Sequence, residues 1–223
     1  MSFHDRLIES TTAARDELQS IPIIRRALRG VITREEYVDF LGQAYHHVRH
    51  TVPLLMACGA RLPARLEWLR EAVAEYIAEE TGHQDWILDD LAALGESRAG
   101  HAEALPLPQT ELMVAYAYDS IARVDPLAFF GMVLVLEGTS VALATQAADA
   151  IERALGLPRT AFRYLRSHGE LDKAHTDFFR RLMDRIEDAE DQRCIVHAAQ
   201  RFYRLYGDIF RAIDAAAPAR AAA

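Results

Sequence analysis

The chain has 223 residues, enough for one sizeable core, and one domain is the default expectation. Hydrophobic residues make up 51% and charged residues 26%, the profile of a soluble globular protein and not of a disordered or fibrous one. The net charge of −8, from 25 Lys and Arg against 33 Asp and Glu, opposes nucleic acid and anionic membrane, and no basic cluster overturns it.

Apolar residues recur at helical spacing nearly everywhere, with no alternating strand pattern and no Asn-Gly hairpin. One helix is expected over about 3–19, and a short one after Pro22. The run "TREE" at 33–36 is a capping box, which opens a helix expected to reach about Cys58. After Pro63 a long amphipathic helix is expected as far as about Leu94. Residues 95–108 read as a loop, followed by helices at about 109–124, 126–155, 159–186 and 189–214. The tail, 215–223, has nothing to bury. The expected fold is therefore all-α, a single-domain bundle of seven or eight helices over residues 1–214.

The N-terminus is charged from its fifth residue and carries no apolar segment of the secretory kind. Cys58 and Cys194 are far apart and form no C-x-x-C, so a reducing compartment, the cytoplasm, is expected. The longest apolar run, 126–136, is too short to cross a bilayer and leads into Glu137, so no membrane span is expected.

Chemistry concentrates in three places. The first is "SHGELDKAHTDFF" (167–179), which puts His168, Asp172 and His175 at i, i+4 and i+7, on one stripe of a helix. At this composition such a triple arises by chance only about 0.05 times per chain. The second is "YIAEETGHQDW" (76–86), where Glu80 and His83 lie at i and i+3 and are expected on one helix face. Asp172 and His175 repeat that acid-x-x-His spacing, and two such pairs on separate helices are what carboxylate-bridged di-iron bundles use. There, carboxylates bridge and neutralise the metals while imidazoles complete the coordination.

The third is Glu137, which interrupts the apolar helix "FFGMVLVLEGTSVALA" (129–144) and is expected to be buried with it. A buried carboxylate needs a cation, and either an arginine or a metal ion would satisfy it. Gly82, Gly138 and Gly169 each adjoin a candidate ligand. Glycine inside a helix costs about 1 kcal/mol relative to alanine, so close helix packing or local unwinding could account for them.

With these residues in place, the sequence resembles the haem-oxygenase-like di-iron oxidases and oxygenases, which share their fold with haem oxygenase and with the TenA and PqqC proteins. The resemblance rests on Glu80-x-x-His83, Glu137 and His168-x3-Asp172-x2-His175, with 54 residues from His83 to Glu137 and 31 from Glu137 to His168. It implies that Glu80, His83, Glu137, His168, Asp172 and His175 are ligands to two iron ions. It also implies dioxygen as co-substrate, oxidation of a small molecule at a C–H, C–C or N–H bond, an external electron donor and a homodimer. Some members place the first glutamate seven residues before the histidine, where this chain has Tyr76. Glu80 is thus the first choice, with Glu79 and Glu75 as fallbacks.

Tyr76, Tyr164, His46 and His50 are candidates for the substrate pocket, and the tyrosines fit a core role equally well. His47 or His50 could instead be an axial ligand to haem, or the "YHHVRH" histidines (45–50) could be solvated. Lys173, the one lysine in the chain, is expected to point away from the site, and both cysteines read as packing residues. Two other readings stand beside the di-iron one. A TenA-like hydrolase would need a nucleophilic cysteine. It would also give no reason for His168, Asp172 and His175 to align. A haem-binding protein would want a Gly-rich distal helix, which this chain lacks, a metal store would want a glutamate where His168 stands, and a helical interaction module would leave Glu137 unexplained.

Overall fold

In the computed structural model, which describes the backbone of residues 1–221 and the side chains of residues 1–167 and 176–216, the helical periodicity resolves into twelve α-helices among the described residues. They are α1 (Phe3–Ser10), α2 (Thr12–Ser20), α3 (Pro22–Ala27), α4 (Arg34–Val48), α5 (Thr51–Arg61) and α6 (Glu67–Glu80). The second half comprises α7 (His83–Ala93), α8 (Arg98–Glu103), α9 (Pro108–Asp119), α10 (Ala128–Leu155), α11 (Arg163–Asp184) and α12 (Ala189–Ala221). The last helix passes the boundary at 214 set from the sequence.

Four expected segments are thus divided or filled in, each for a local reason. The 3–19 helix breaks at Thr11, whose hydroxyl donates back to the Leu7 carbonyl at 2.8 Å and competes with the helical ladder. The 34–58 helix breaks at Arg49–His50. Pro53 lacks an N–H and its ring would meet the carbonyl of Arg49, so it is accommodated only in the first turn of a new helix. The 64–94 helix breaks at Thr81–Gly82, where Gly82 takes φ +94°, a backbone that side chains rarely adopt. Within the expected 95–108 loop, Ser97 accepts from the Gly100 N–H and starts the short α8.

The capping box at 33–36 is present. Thr33 accepts from the Glu36 N–H at 3.1 Å, and the Glu36 carboxylate accepts from the Thr33 N–H at 2.7 Å. Glu36 also takes both guanidinium nitrogens of Arg26, at 2.6 and 3.1 Å, and Arg26 reaches Asp214 at 2.7 Å. The Glu36 carboxylate therefore starts α4 and ties it to α3, and the Arg26 guanidinium extends the tie to α12.

The helices are organised around α10, which packs chiefly against α11 and α12 and also meets α3, α5 and α9. Its residues from Ala128 to Val135 are all buried. At 28 residues and a mean hydropathy of 1.7 in its most apolar window, α10 is long and apolar enough to cross a membrane by length and composition, unlike the shorter run seen in the sequence. Here half of that window is enclosed by the chain's own helices. Gly131 is what lets α12 approach: a Cβ there would lie 2.5 Å from the Ala199 nitrogen and 2.8 Å from the Ala198 Cβ. Those neighbours are backbone and a short side chain in a helix, with little room to give. Gly131→Ala is accordingly expected to lower stability by about 1–3 kcal/mol, read as a shift in the urea midpoint without a change in m.

Candidate metal centre

The first site element is built by the end of one helix and the start of the next. The Thr81 hydroxyl donates to the Ile77 carbonyl at 2.6 Å as α6 ends, Gly82 turns the chain, and α7 opens at His83. Glu80 and His83 therefore do not share one face of a continuous helix, as their spacing had suggested. The turn still brings them together, with Glu80 Oε2 at 3.0 Å from His83 Nδ1 and side-chain exposures of 11% and 6%. A side chain at Gly82 would meet no neighbour, so its backbone angle and not packing accounts for the glycine. The imidazole lies against the Trp86 ring at 3.9 Å, and the Arg163 guanidinium covers that indole at 4.8 Å.

The second element is a cavity of about 160 Å³ with largely apolar walls. Glu80, Glu137, Tyr76 and Tyr164 all line it. Glu137 is half-buried, and not buried as its apolar helix implied, because α10 presents it to this cavity. Gly138 beside it has no atom within 4 Å of a would-be Cβ, so close helix packing does not explain that glycine. Tyr76 is 2% exposed and packs on Phe178 at 5.4 Å. Glu75 and Glu79, the fallback carboxylates, are exposed and do not line the cavity.

The early histidines divide differently from the sequence expectation. His46 and His50 are not among the cavity-lining residues, whereas His47 is, buried and edge-on to Tyr206 at 5.8 Å. Adjacent residues on a helix point about 100° apart, so one of the pair faces the cavity when the other does not. His50 Nδ1 lies 3.1 Å from the Tyr118 hydroxyl. Burial, helped by the Arg49 charge, holds both His46 and His50 below the usual histidine range.

The donor set of Glu80, His83 and Glu137 is the oxygen and imidazole chemistry that suits iron, and Glu80 and His83 already converge on one another. Among the described residues no three such side chains lie close enough to hold an ion. The other expected ligands, His168, Asp172 and His175, and Lys173 with them, have side chains outside the described residues. Neither cysteine lines the cavity. Burial pushes the Cys58 thiol up to about 12 and the Cys194 thiol up to about 11, which suits packing and not nucleophilic attack.

One residue absent from the sequence reading positions the site. Asp90, fully buried on α7, accepts the backbone N–H groups of Arg163 and Tyr164, both at 2.9 Å. Those are orphan donors at the start of α11, so Asp90 clamps the helix that begins at His83 to the helix that carries His168, Asp172 and His175.

Comparison with known proteins adds three findings. A family described as iron-containing redox enzyme matches residues 38–207. No curated protein shows significant similarity to the chain. Among solved structures, a domain of unknown function with a heme oxygenase-like fold from Shewanella denitrificans is similar at a TM-score of 0.84 and 22% identity, over 96% of this chain and 92% of that one. A TenA homologue from Pseudomonas syringae gives 0.81 and 11% identity, over 95% and 92%. Heme oxygenase-1 from the cyanobacterium Synechocystis, solved with heme, gives 0.74 and 15% identity, over 96% and 93%. At these identities the structures establish the fold, an all-α heme oxygenase-like bundle.

The Asp90 clamp has a pH signature. Burial raises its carboxyl to about 6 against an ordinary 3.8, outweighing the two N–H bonds that favour the anion. The folded chain then binds the extra proton between those values, so stability from this group is full below about pH 4 and is lost as pH rises through 6, by on the order of 2–3 kcal/mol. Thermal melts across that window are expected to show this fall in the wild type and a flatter profile in Asp90→Asn. Asp90→Ala, which strands both N–H groups, is expected to cost about 1–3 kcal/mol near neutral pH.

Proposed function

The chain belongs to the iron-containing redox enzyme family, and from that premise we propose that it is a non-haem di-iron oxidase or oxygenase acting on a small, largely apolar molecule. The observation that carries this reading is the pairing of Glu80 with His83 beside a cavity that Glu137 also lines. Glu80, His83 and Glu137 would hold iron together with His168, Asp172 and His175. When bound, iron supplies dioxygen-dependent oxidation at a C–H, C–C or N–H bond, with electrons from the substrate or a separate donor.

The remaining parts belong to the chain itself. Gly82 fixes the turn that aims Glu80 at His83, and Asp90 holds α7 and α11 in register. The apolar walls exclude water from the reacting end of the substrate and strengthen electrostatic interactions within the site. We further propose a cytoplasmic homodimer with no nucleic-acid or membrane partner, in keeping with the net charge of −8.

A haem reading is favoured by one observation, His47 on the cavity wall. Against it stand Glu80 and Glu137, which line the same cavity and would confront a haem face with negative charge. The TenA-like reading lacks a cavity cysteine.

Anaerobic ferrous titration of the metal-free chain decides among these. Uptake is expected near two irons per chain, with oxygen consumption once air is admitted. His83→Ala and Glu137→Ala are each expected to weaken iron binding by 10-fold or more while leaving the melting curve cooperative. A sharp Soret band with added haem and no uptake of free ferrous ion would put the haem reading first.

A further inference from the structure

We infer that Trp86 is a positioning residue for His83, the face of its indole setting the plane of the imidazole for metal binding. This role deepens the proposed oxidase function, on which it rests for the metal but not for the placement of the ring.

A histidine ligand has to be fixed in two respects, the nitrogen it turns to the metal and the plane of its ring. Glu80 provides the first. Its Oε2 lies 3.0 Å from His83 Nδ1, and an ionised carboxylate only accepts, so the ring hydrogen sits on Nδ1 and Nε2 is the nitrogen for metal. A single hydrogen bond fixes a point and not a plane, so a second restraint is needed.

Trp86 supplies it. His83 and Trp86 stand at i and i+3 on α7, where side chains are neighbours on one helix face. Their ring centroids are 3.9 Å apart and their planes 31° apart, so the imidazole lies on the indole and does not meet it edge-on. The other described histidine–aromatic contacts are of a different kind. At His4, His46, His47 and His50 the planes stand at 72°, 65°, 85° and 87° and the centroids at 6.3, 5.5, 5.8 and 5.7 Å. Among the described residues, the histidine that stacks flat on an aromatic ring is thus the one that also pairs with a candidate carboxylate.

The indole is itself held. The Arg163 guanidinium lies 4.8 Å from its centroid and reaches Asp89 at 3.4 Å, while the Arg163 backbone N–H is bound by Asp90. The chain's other tryptophan offers a comparison. Trp68 is covered by the Arg185 guanidinium at 3.9 Å, but it lies 12 residues before Glu80, 80 − 68, or roughly 18 Å along α6.

The test reads the ring nitrogens of His83 by nitrogen NMR in the full, metal-free chain at about pH 8.5, above the ordinary histidine range. The wild type should show a single Nδ1–H tautomer. Trp86→Phe keeps a flat face and should preserve it, whereas Trp86→Leu should give a mixture of both tautomers. Trp68→Leu should leave His83 unchanged. Anaerobic ferrous binding is measured on the same proteins. Trp86→Leu should weaken it about 10-fold and Trp86→Phe by about threefold at most. Added to His83→Ala, Trp86→Leu should weaken it no further. Should Trp86→Leu fail to fold, Trp86→Met, which keeps bulk without a rigid plane, takes its place.

A single tautomer in Trp86→Leu, its loss in Trp86→Phe, or equal mixing in Trp68→Leu would overturn the role. Mixed tautomers with ferrous affinity unmoved would uphold the placement of the ring and remove His83 from the metal centre. Ferrous binding lost in His83→Ala, with the tautomer of Trp86→Leu unmoved, would uphold the metal centre and overturn the role of Trp86.

Discussion

The structure depends on one constraint: α10 has no polar face to give to water over its first eight residues, Ala128 to Val135. A helix that is apolar all round must be enclosed, and the chain encloses it with α11 and α12. The approach is possible only because Gly131 leaves space for the backbone of α12 at Ala198 and Ala199. One stripe of α10, from Phe129 to Ile151, is also the wall of a cavity, and Glu137 stands on it where the fully buried stretch has ended. The same helix thus supplies part of the core, a candidate carboxylate and a wall of the cavity.

A second tie fixes the relation of the two motif-bearing helices. His83 opens α7 and the His168–Asp172–His175 stripe lies on α11, and the buried Asp90 carboxylate joins one helix to the other through two backbone N–H groups. Arg163 strengthens the same junction by covering Trp86, on which His83 rests. Ligands drawn from separate helices need such support, because an error of about 1 Å in their separation is enough to spoil a metal site. Asp90 had no signature in the sequence, since a carboxylate that caps a helix 73 residues away looks like any surface acid until the chain is folded.

Local rules account for much of the secondary structure. The capping box at Thr33–Glu36 and the proline start at Pro22 act within one turn and were legible directly. The break before α5 was missed, although Pro53 carries its signal in the N–H it lacks against the Arg49 carbonyl. Gly82 was visible as an oddity, but its meaning depended on the sign of φ, which no sequence displays. The Thr11 break was the least visible, because a threonine hydroxyl that donates to its own helix competes with the ladder only weakly.

The sequence by itself determined the all-helical class and the family, because the helical period and the motif spacing that carries the resemblance are both short-range and survive in one dimension. Only the tertiary structure decided which histidine of the early helix faces the cavity, that Glu80 and His83 meet across a turn, and that Asp90 clamps the site. These properties arise from the angles at which helices cross, and a crossing angle is set by side chains far apart in the chain that come into contact only on folding.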